Sequence, residues 1–237
     1  MAEKNWKDVI SKLMAKAEDN ATTDAERNAI VERVTYLMAK HGIEEAMLSA
    51  QEKRTAPLTK HSYRLLAPYI KQRTTILHNI SVAFGCRAIF DNQNNRMTVY
   101  GYEDDQEKVF MLYGSLVIQM FTGLAQTVKP ADVHGKTFNG SWVTGYAYTV
   151  GSRVREAYEH ARRDVQAEST GNGMELVLAD RALAVNNMYR TEHPRTRNIA
   201  GSRATHAGAY AAGSAAGRNA NIGQTGVGGS RTRAIGS

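Results

Sequence analysis

Apolar residues recur at spacings of three and four through Trp6, Val9, Ile10, Leu13, Met14 and Ala17, and again through Ile30, Val34, Leu37 and Met38. That period predicts two amphipathic helices. Thr23-Asp24-Ala25-Glu26 has the form of a capping box at the start of the second. Lys40 and His41 fit its cationic end, and Gly42 fits a left-handed stop. The pair predicts an N-terminal helical hairpin over residues 1–50. Residues 51–62, polar and basic with Pro57 among them, are expected to be a linker.

A second pattern starts at Pro68, a favourable first residue for a helix. Ile70, Ile76, Leu77, Ile80, Val82 and Phe84 supply its apolar positions, and Gly85 is expected to end it. Two short runs, 86–90 and 96–102, flank the polar loop Asp91-Asn92-Gln93-Asn94-Asn95 and predict a β-hairpin. Asp104 and Asp105 open a long helix whose buried face is Val109, Leu112, Tyr113, Leu116, Val117, Met120 and Leu124. This apolar run is short for a membrane span and is interrupted by Gln119 and Thr122, so it is expected to be a core helix and not a membrane contact. The order is α-β-β-α. After a loop from Val128 to Gly140, a helix from about Ser141 to Ala167 carries Val143, Ala147, Val150, Val154, Ala157, Ala161 and Val165 on one side. Thr170-Gly171-Asn172-Gly173 breaks the chain, and Leu176 to Leu183 is compatible with either a strand or a short helix. These elements predict a central domain over 63–189 and a helix-rich α+β fold class.

The remainder, 190–237, is a tail biased towards glycine, alanine, serine and arginine. Ala204, Gly208, Ala212, Ala216 and Ala220 recur every four residues, and Gly213 and Gly217 repeat that spacing. On a helix this makes a smooth stripe that admits another backbone. The expectation is a homo-oligomer joined through the stripe. Residues 223–237 have no periodicity and are expected to be flexible.

Charge changes the picture most in this tail. The 237 residues carry a net +7. Seven arginines and one acid, Glu192, lie beyond residue 189, which leaves 23 basic and 22 acidic side chains for the rest. Arginine forks match phosphate oxygens, and a basic arm attracts polyanions at long range. A lone cysteine, Cys86, excludes an internal disulfide. The polar N-terminus has no apolar secretory core, so a cytoplasmic protein is expected (the host cytoplasm if phage-encoded).

Two stretches resemble a known family. The first is Ile10, Leu13, Met14, Ala15 and Ala17, then Thr22-Thr23-Asp24-Ala25-Glu26, then Leu37-Met38-Ala39-Lys40-His41-Gly42-Ile43. It resembles a small N-terminal helical domain of unknown function found in bacteria and their phages. The second, Phe84-Gly85-Cys86-Arg87 with Tyr100-Gly101-Tyr102-Glu103-Asp104-Asp105, is similar to the central domain that often follows it. The resemblance implies a phage or prophage-like origin and a shared architecture. It assigns no catalytic residue.

Candidate chemistry is sparse. No pair among the seven histidines has the spacing that places two ligands on one helix face, so neither a metal nor another cofactor is expected. Cys86 fits a small buried hydrophobe, and Glu103-Asp104-Asp105 fits a helix N-terminus better than a metal site. The best constellation is for nucleic acid. Arg87, Arg96, Tyr100 and Tyr102 sit on or beside the hairpin, Arg64, Lys71 and Arg73 lie just upstream, and Arg195, Arg197, Arg203, Arg218, Arg231 and Arg233 lie in the tail. Aromatic faces can stack on bases while guanidinium groups hold phosphates. The leading expectation is a phage or prophage accessory protein that binds nucleic acid as a homo-oligomer. A non-enzymatic assembly protein that binds a host or phage protein is the alternative, and a metal-dependent hydrolase or nuclease is a third.

Overall fold

The computed structural model describes residues 8–10, 12–13, 15–16, 24–51, 57–168, 173–197 and 201–220. Residues 8–10, 12–13 and 15–16 are helical, and Ile10 is buried in the main core. The elements that follow are α1 (Asp24–Gln51), β1 (Leu58–Arg64), α2 (Ile70–Ala83), β2 (Arg87–Asp91), β3 (Arg96–Tyr102), α3 (Glu103–Gln126), α4 (Gly135–Glu168), α5 (Gly173–Glu192) and α6 (Ala207–Asn219). The fold is helix-rich α+β.

The three strands form an antiparallel sheet in the order β1-β3-β2. Its inner face presents Met97 and Val99 to α2, α3 and α4, and α1 and α6 close the same core. The 34-residue α4 is the central member, with Trp142, Tyr146, Val150 and Val154 fully enclosed. Val34, Met38 and Ala39 of α1 share this core, so the N-terminal helical segment packs onto the central module.

The predicted hairpin and its flanking helices are present. Asp91 holds the connecting turn through its carboxylate, which accepts from the Gln93 amide at 2.9 Å and from Asn94 Nδ2 at 2.6 Å. Gly85 adopts a φ of +72° after α2, a conformation that costs glycine little.

Five expectations change. Gly42 does not stop a helix: α1 continues to Gln51, because Ile43 and Ala46 extend the buried face. The proposed terminal cations pair elsewhere, Lys40 with Glu168 of α4 at 2.8 Å and His41 with Glu44 at 3.0 Å. Part of the expected linker is strand β1, whose polar residues suit an edge strand with exposed side chains. The helix after Pro68 starts only at Ile70, because Tyr69 is left-handed at φ 62°. Helix α4 starts at Gly135, inside the expected loop, and the ambiguous run 176–183 lies within α5. Thr23 of the capping box and residues 221–237 lie outside the described residues.

The small-residue stripe is engaged within the chain. Helix α6 buries Gly213 and Gly217 of the stripe together with Ala209 and Ser214, and packs against α4. A Cβ on Gly213 would overlap the Trp142 carbonyl, and one on Gly145 of α4 would overlap the Tyr210 carbonyl. Of the stripe residues expected to join copies, Ala204 and Gly208 are exposed, Ala212 and Ala216 pack against the core, and Ala220 is buried.

Candidate nucleic-acid interface

Strand alternation sorts the sheet residues between two faces. By register, Lys60 lies opposite Tyr100, which lies opposite Arg87. Ser62 lies opposite Thr98, which faces Ile89, and Arg64 lies opposite Arg96, which faces Asp91. These residues share the outer face, away from the main core.

Helix α5 covers one half of that face. Val185, Met188 and Tyr189 pack on Tyr100, Tyr102, Leu58 and Ile89 as a small second core. The Tyr100 ring is 1% exposed and meets Tyr189 edge-on at 5.7 Å. Its hydroxyl donates to Glu192 at 2.9 Å and lies 2.8 Å from His193 Nε2. Burial first, then the Glu192 carboxylate, push this phenol well above its ordinary value. The Arg181 guanidinium covers the Tyr102 ring at 3.8 Å, and Arg87 covers Tyr189 at 4.8 Å. Tyr100 therefore offers no free face to a base, and Arg181 takes one face of Tyr102. Both tyrosines seat α5.

The other half of the face is open. Ser62 and Thr98 are joined at 2.8 Å between exposed hydroxyls, and Arg64 and Arg96 are exposed across the register from one another. Lys60 binds Glu192 at 2.6 Å and so ties the end of α5 to β1. Lys60 first, then Tyr100, hold the Glu192 carboxylate below its usual range. Arg195 and Arg197 follow three and five residues after Glu192 and are exposed. The register thus brings Arg87 and Arg96 of the hairpin and Lys60 and Arg64 of β1 to one face of the sheet. Arg190 sits in the last turn of α5, and Arg195 and Arg197 follow that helix. The carboxylates of Asp91 and Glu192 are both engaged, Asp91 in the hairpin turn and Glu192 by Lys60 and Tyr100.

The other tail arginines are placed elsewhere. Arg203 precedes α6 and Arg218 sits in its last turn, on the helix that packs against α4. Arg231 and Arg233 lie outside the described residues. The residue that sequence reasoning left out is Lys60. Its signal is the alternation of Lys60, Ser62 and Arg64 with His61 and Tyr63, which a linker reading of 51–62 conceals.

A cavity of about 310 Å³ lies behind α5, walled by Gly42 and Ala46 of α1, Phe84 and Gly85, and Tyr158 and Arg162 of α4. Its floor is ionic. Arg181 reaches Asp105 at 2.7 Å and Asp104 at 3.2 Å. Lys108, with its side chain 5% exposed, reaches Glu45 at 3.4 Å and both aspartates at 3.8 Å. Burial, then the neighbouring Asp104, raise the Asp105 carboxyl above its usual value against the pull of Arg181 and Lys108. Arg162 is held by Glu175. Burial pushes the Cys86 thiol well up, which disfavours the thiolate. The acids at the start of α3 are thus neutralised by cations of the same chain, and the cluster fastens α1, α3 and α5 together. Among the described residues, no group of three histidine, cysteine, aspartate or glutamate side chains is placed to hold a metal ion.

Comparison with known proteins adds one finding. Residues 7–45 match the model of a family described as a protein of unknown function, DUF2786. This covers the N-terminal of the two stretches that carry the family resemblance. No curated protein and no solved structure matches the chain.

Proposed function

We propose that this protein binds nucleic acid through the open half of its sheet, gripping the phosphate backbone with arginine and lysine. The reading rests on one observation: Arg64 and Arg96 lie exposed across the register from one another on a sheet face that also carries Arg87, and exposed Arg195 and Arg197 follow the helix whose end Lys60 ties to β1. Phosphate contacts supply affinity without reading sequence. The enclosed Tyr100 supports backbone contact over base stacking. The resemblance to a bacterial and phage domain supports an accessory role in phage or prophage nucleic-acid metabolism.

The test is fluorescence anisotropy with labelled 20-mers of single- and double-stranded DNA and RNA across a salt series. Removal of the whole tail is a poor control, because Ala209 and Ala220 belong to the main core. Two double variants serve better, Arg64→Gln with Arg96→Gln and Arg195→Gln with Arg197→Gln. Each pair is expected to weaken binding and to reduce the log–log salt slope by about 2, roughly one for each phosphate no longer neutralised. If the wild-type protein binds none of the probes at low salt and tens of micromolar protein, the reading is wrong. It is equally wrong if both double variants keep the wild-type slope.

A further inference from the structure

Helix α5 ends on an acid. Glu192 is its last residue and the one acidic side chain among seven arginines beyond residue 189. The C-terminal end of a helix carries partial negative charge and favours a cation, which Arg190 supplies in the same turn. Local helix physics therefore does not account for Glu192. Its contacts do. Lys60 Nζ donates to both carboxylate oxygens, at 2.7 and 2.6 Å, and the Tyr100 hydroxyl donates to one of them at 2.9 Å. The hydroxyl proton is thus taken, so His193 Nε2, 2.8 Å from the same oxygen, carries a proton and donates to it.

An ammonium and a phenol hydroxyl converging on two anionic oxygens are also the donors that hold phosphate oxygens. They stand in the row of the sheet that carries Arg87, and Arg64 and Arg96 lie four residues along the strands from it. At about 3.3 Å per residue that separation is about 13 Å. A phosphate backbone gripped by Arg64 and Arg96 and followed across the face reaches Lys60 and meets Glu192 there. A fixed carboxylate at that point repels it. The pair that holds the carboxylate is half in solvent, with the Lys60 side chain 48% and the Glu192 side chain 34% exposed. Ion pairs in that setting contribute little net stability, so they exchange readily for a stronger anion.

We propose that Glu192 is a built-in competitor for nucleic acid: it occupies the Lys60 end of the phosphate track as a stand-in for a phosphate, and an incoming phosphate displaces it. The inference deepens the nucleic-acid reading and rests on it. With a phosphate on Lys60, Glu192 faces a like charge and the last turn of α5 lifts from β1. Val185 and Tyr189 remain in their own small core, so the displacement is confined to the turn that the His193 amide closes onto the Tyr189 carbonyl at 2.9 Å.

Fluorescence anisotropy of the full chain with the same labelled probes tests it, in a salt series that includes about 0.15 M, where the Debye length is about 8 Å and a distant charge is screened. Glu192→Gln keeps an acceptor for Tyr100 but frees Lys60. It is expected to bind about threefold more tightly than wild type and to steepen the log–log salt slope by about 1, for one further phosphate neutralised. Adding Lys60→Gln is expected to remove both gains. Glu168→Gln breaks the Lys40–Glu168 pair between α1 and α4, removes the same charge, and is expected to match wild type. In the wild-type protein, hydrogen exchange at the Thr191, Glu192 and His193 amides is expected to quicken on saturation with the tightest-bound probe. The proposal is overturned, with nucleic-acid binding left in place, by a Glu192→Gln variant of wild-type affinity and slope, by an equal gain in Glu168→Gln, or by exchange in that turn that does not quicken. If neither wild type nor Glu192→Gln binds any probe, the nucleic-acid reading and this inference fall together.

Discussion

Helices α5 and α6 both come from the C-terminal third of the chain and are attached to the body by opposite means. Helix α6 is held by shape. Gly213 and Gly217 bring its backbone against the carbonyls of Trp142 and Tyr146 on α4, and its ends are closed by hydrogen bonds from the Thr205 and His206 amides to Ser141 and from Arg153 to the Gly217 carbonyl. Helix α5 is held largely by charge. Arg181 binds two aspartates, Arg162 binds Glu175, Glu192 binds Lys60 and Tyr100, and arginines cover Tyr102 and Tyr189. A close-packed contact fails when a methyl group is added, because interiors have no room to give. An ionic contact tolerates volume but fails when one partner is removed or titrated.

The largest expected effect is on the ionic side. Arg181→Met keeps much of the side-chain volume but leaves Asp104 and Asp105 facing each other with Lys108 alone. A loss of about 3 kcal/mol in chemical denaturation is expected, the cost of stranding buried carboxylates. A midpoint unchanged from wild type would mean that the cluster is solvated and that α5 is held by Val185 and Tyr189 instead. Next comes the packed side. Gly213→Ala is expected to cost about 2 kcal/mol and to expose the α6 amides to hydrogen exchange, whereas Gly114→Ala, where nothing lies within 4 Å of the added carbon, is expected to cost nothing or to stabilise the helix slightly. Equal losses at the two glycines would mean that close approach is not what holds α6.

The smallest effect separates the two attachments by pH. The depressed Glu192 carboxyl contributes stability that is present above its unfolded value of about 4.3 and is lost as pH falls through its lower folded value. Asp105 has the opposite sign: its raised folded value lets the folded chain take up a proton first as pH falls. Glu192→Gln is therefore expected to flatten the acid limb of the thermal melting curve. The same substitution should leave amide protection in α6 untouched, because the hydrogen bonds described between α6 and α4 join the Thr205 and His206 amides to Ser141 and Arg153 to the Gly217 carbonyl.

Much of the fold is legible in the sequence where the signal is local. The β-hairpin, the acids that open α3 and the apolar stripe of α4 all follow from spacing and turn chemistry. Failures occur where a tertiary contact overrides a local cue. Gly42 has the form of a helix stop, yet Ile43 and Ala46 find a buried surface beyond it and the helix continues. Residues 58–64 look like a linker because an edge strand needs few apolar side chains. The proposed interface is half legible for the same reason. Arg64, Arg87, Arg96, Arg195 and Arg197 stand out in the sequence, while Lys60 becomes visible only once β1 pairs with β3. Tyr100 and Tyr102 stand out as candidate stacking surfaces, and the docking of α5 encloses the first and places Arg181 over the second.

By itself, the sequence determined the helix-rich α+β class, the α-β-β-α order and the concentration of arginine beyond residue 189. All of these rest on neighbours within a few residues or on composition alone. Only the tertiary structure decided that glycines of the small-residue stripe serve α4 of the same chain, that the β3 tyrosines seat a helix, and that Met111 and Ile118 of α3 stay exposed among the described residues. Each of those depends on which faces meet across more than fifty residues of chain, and a period of three and four states that a helix has an apolar face without stating what covers it.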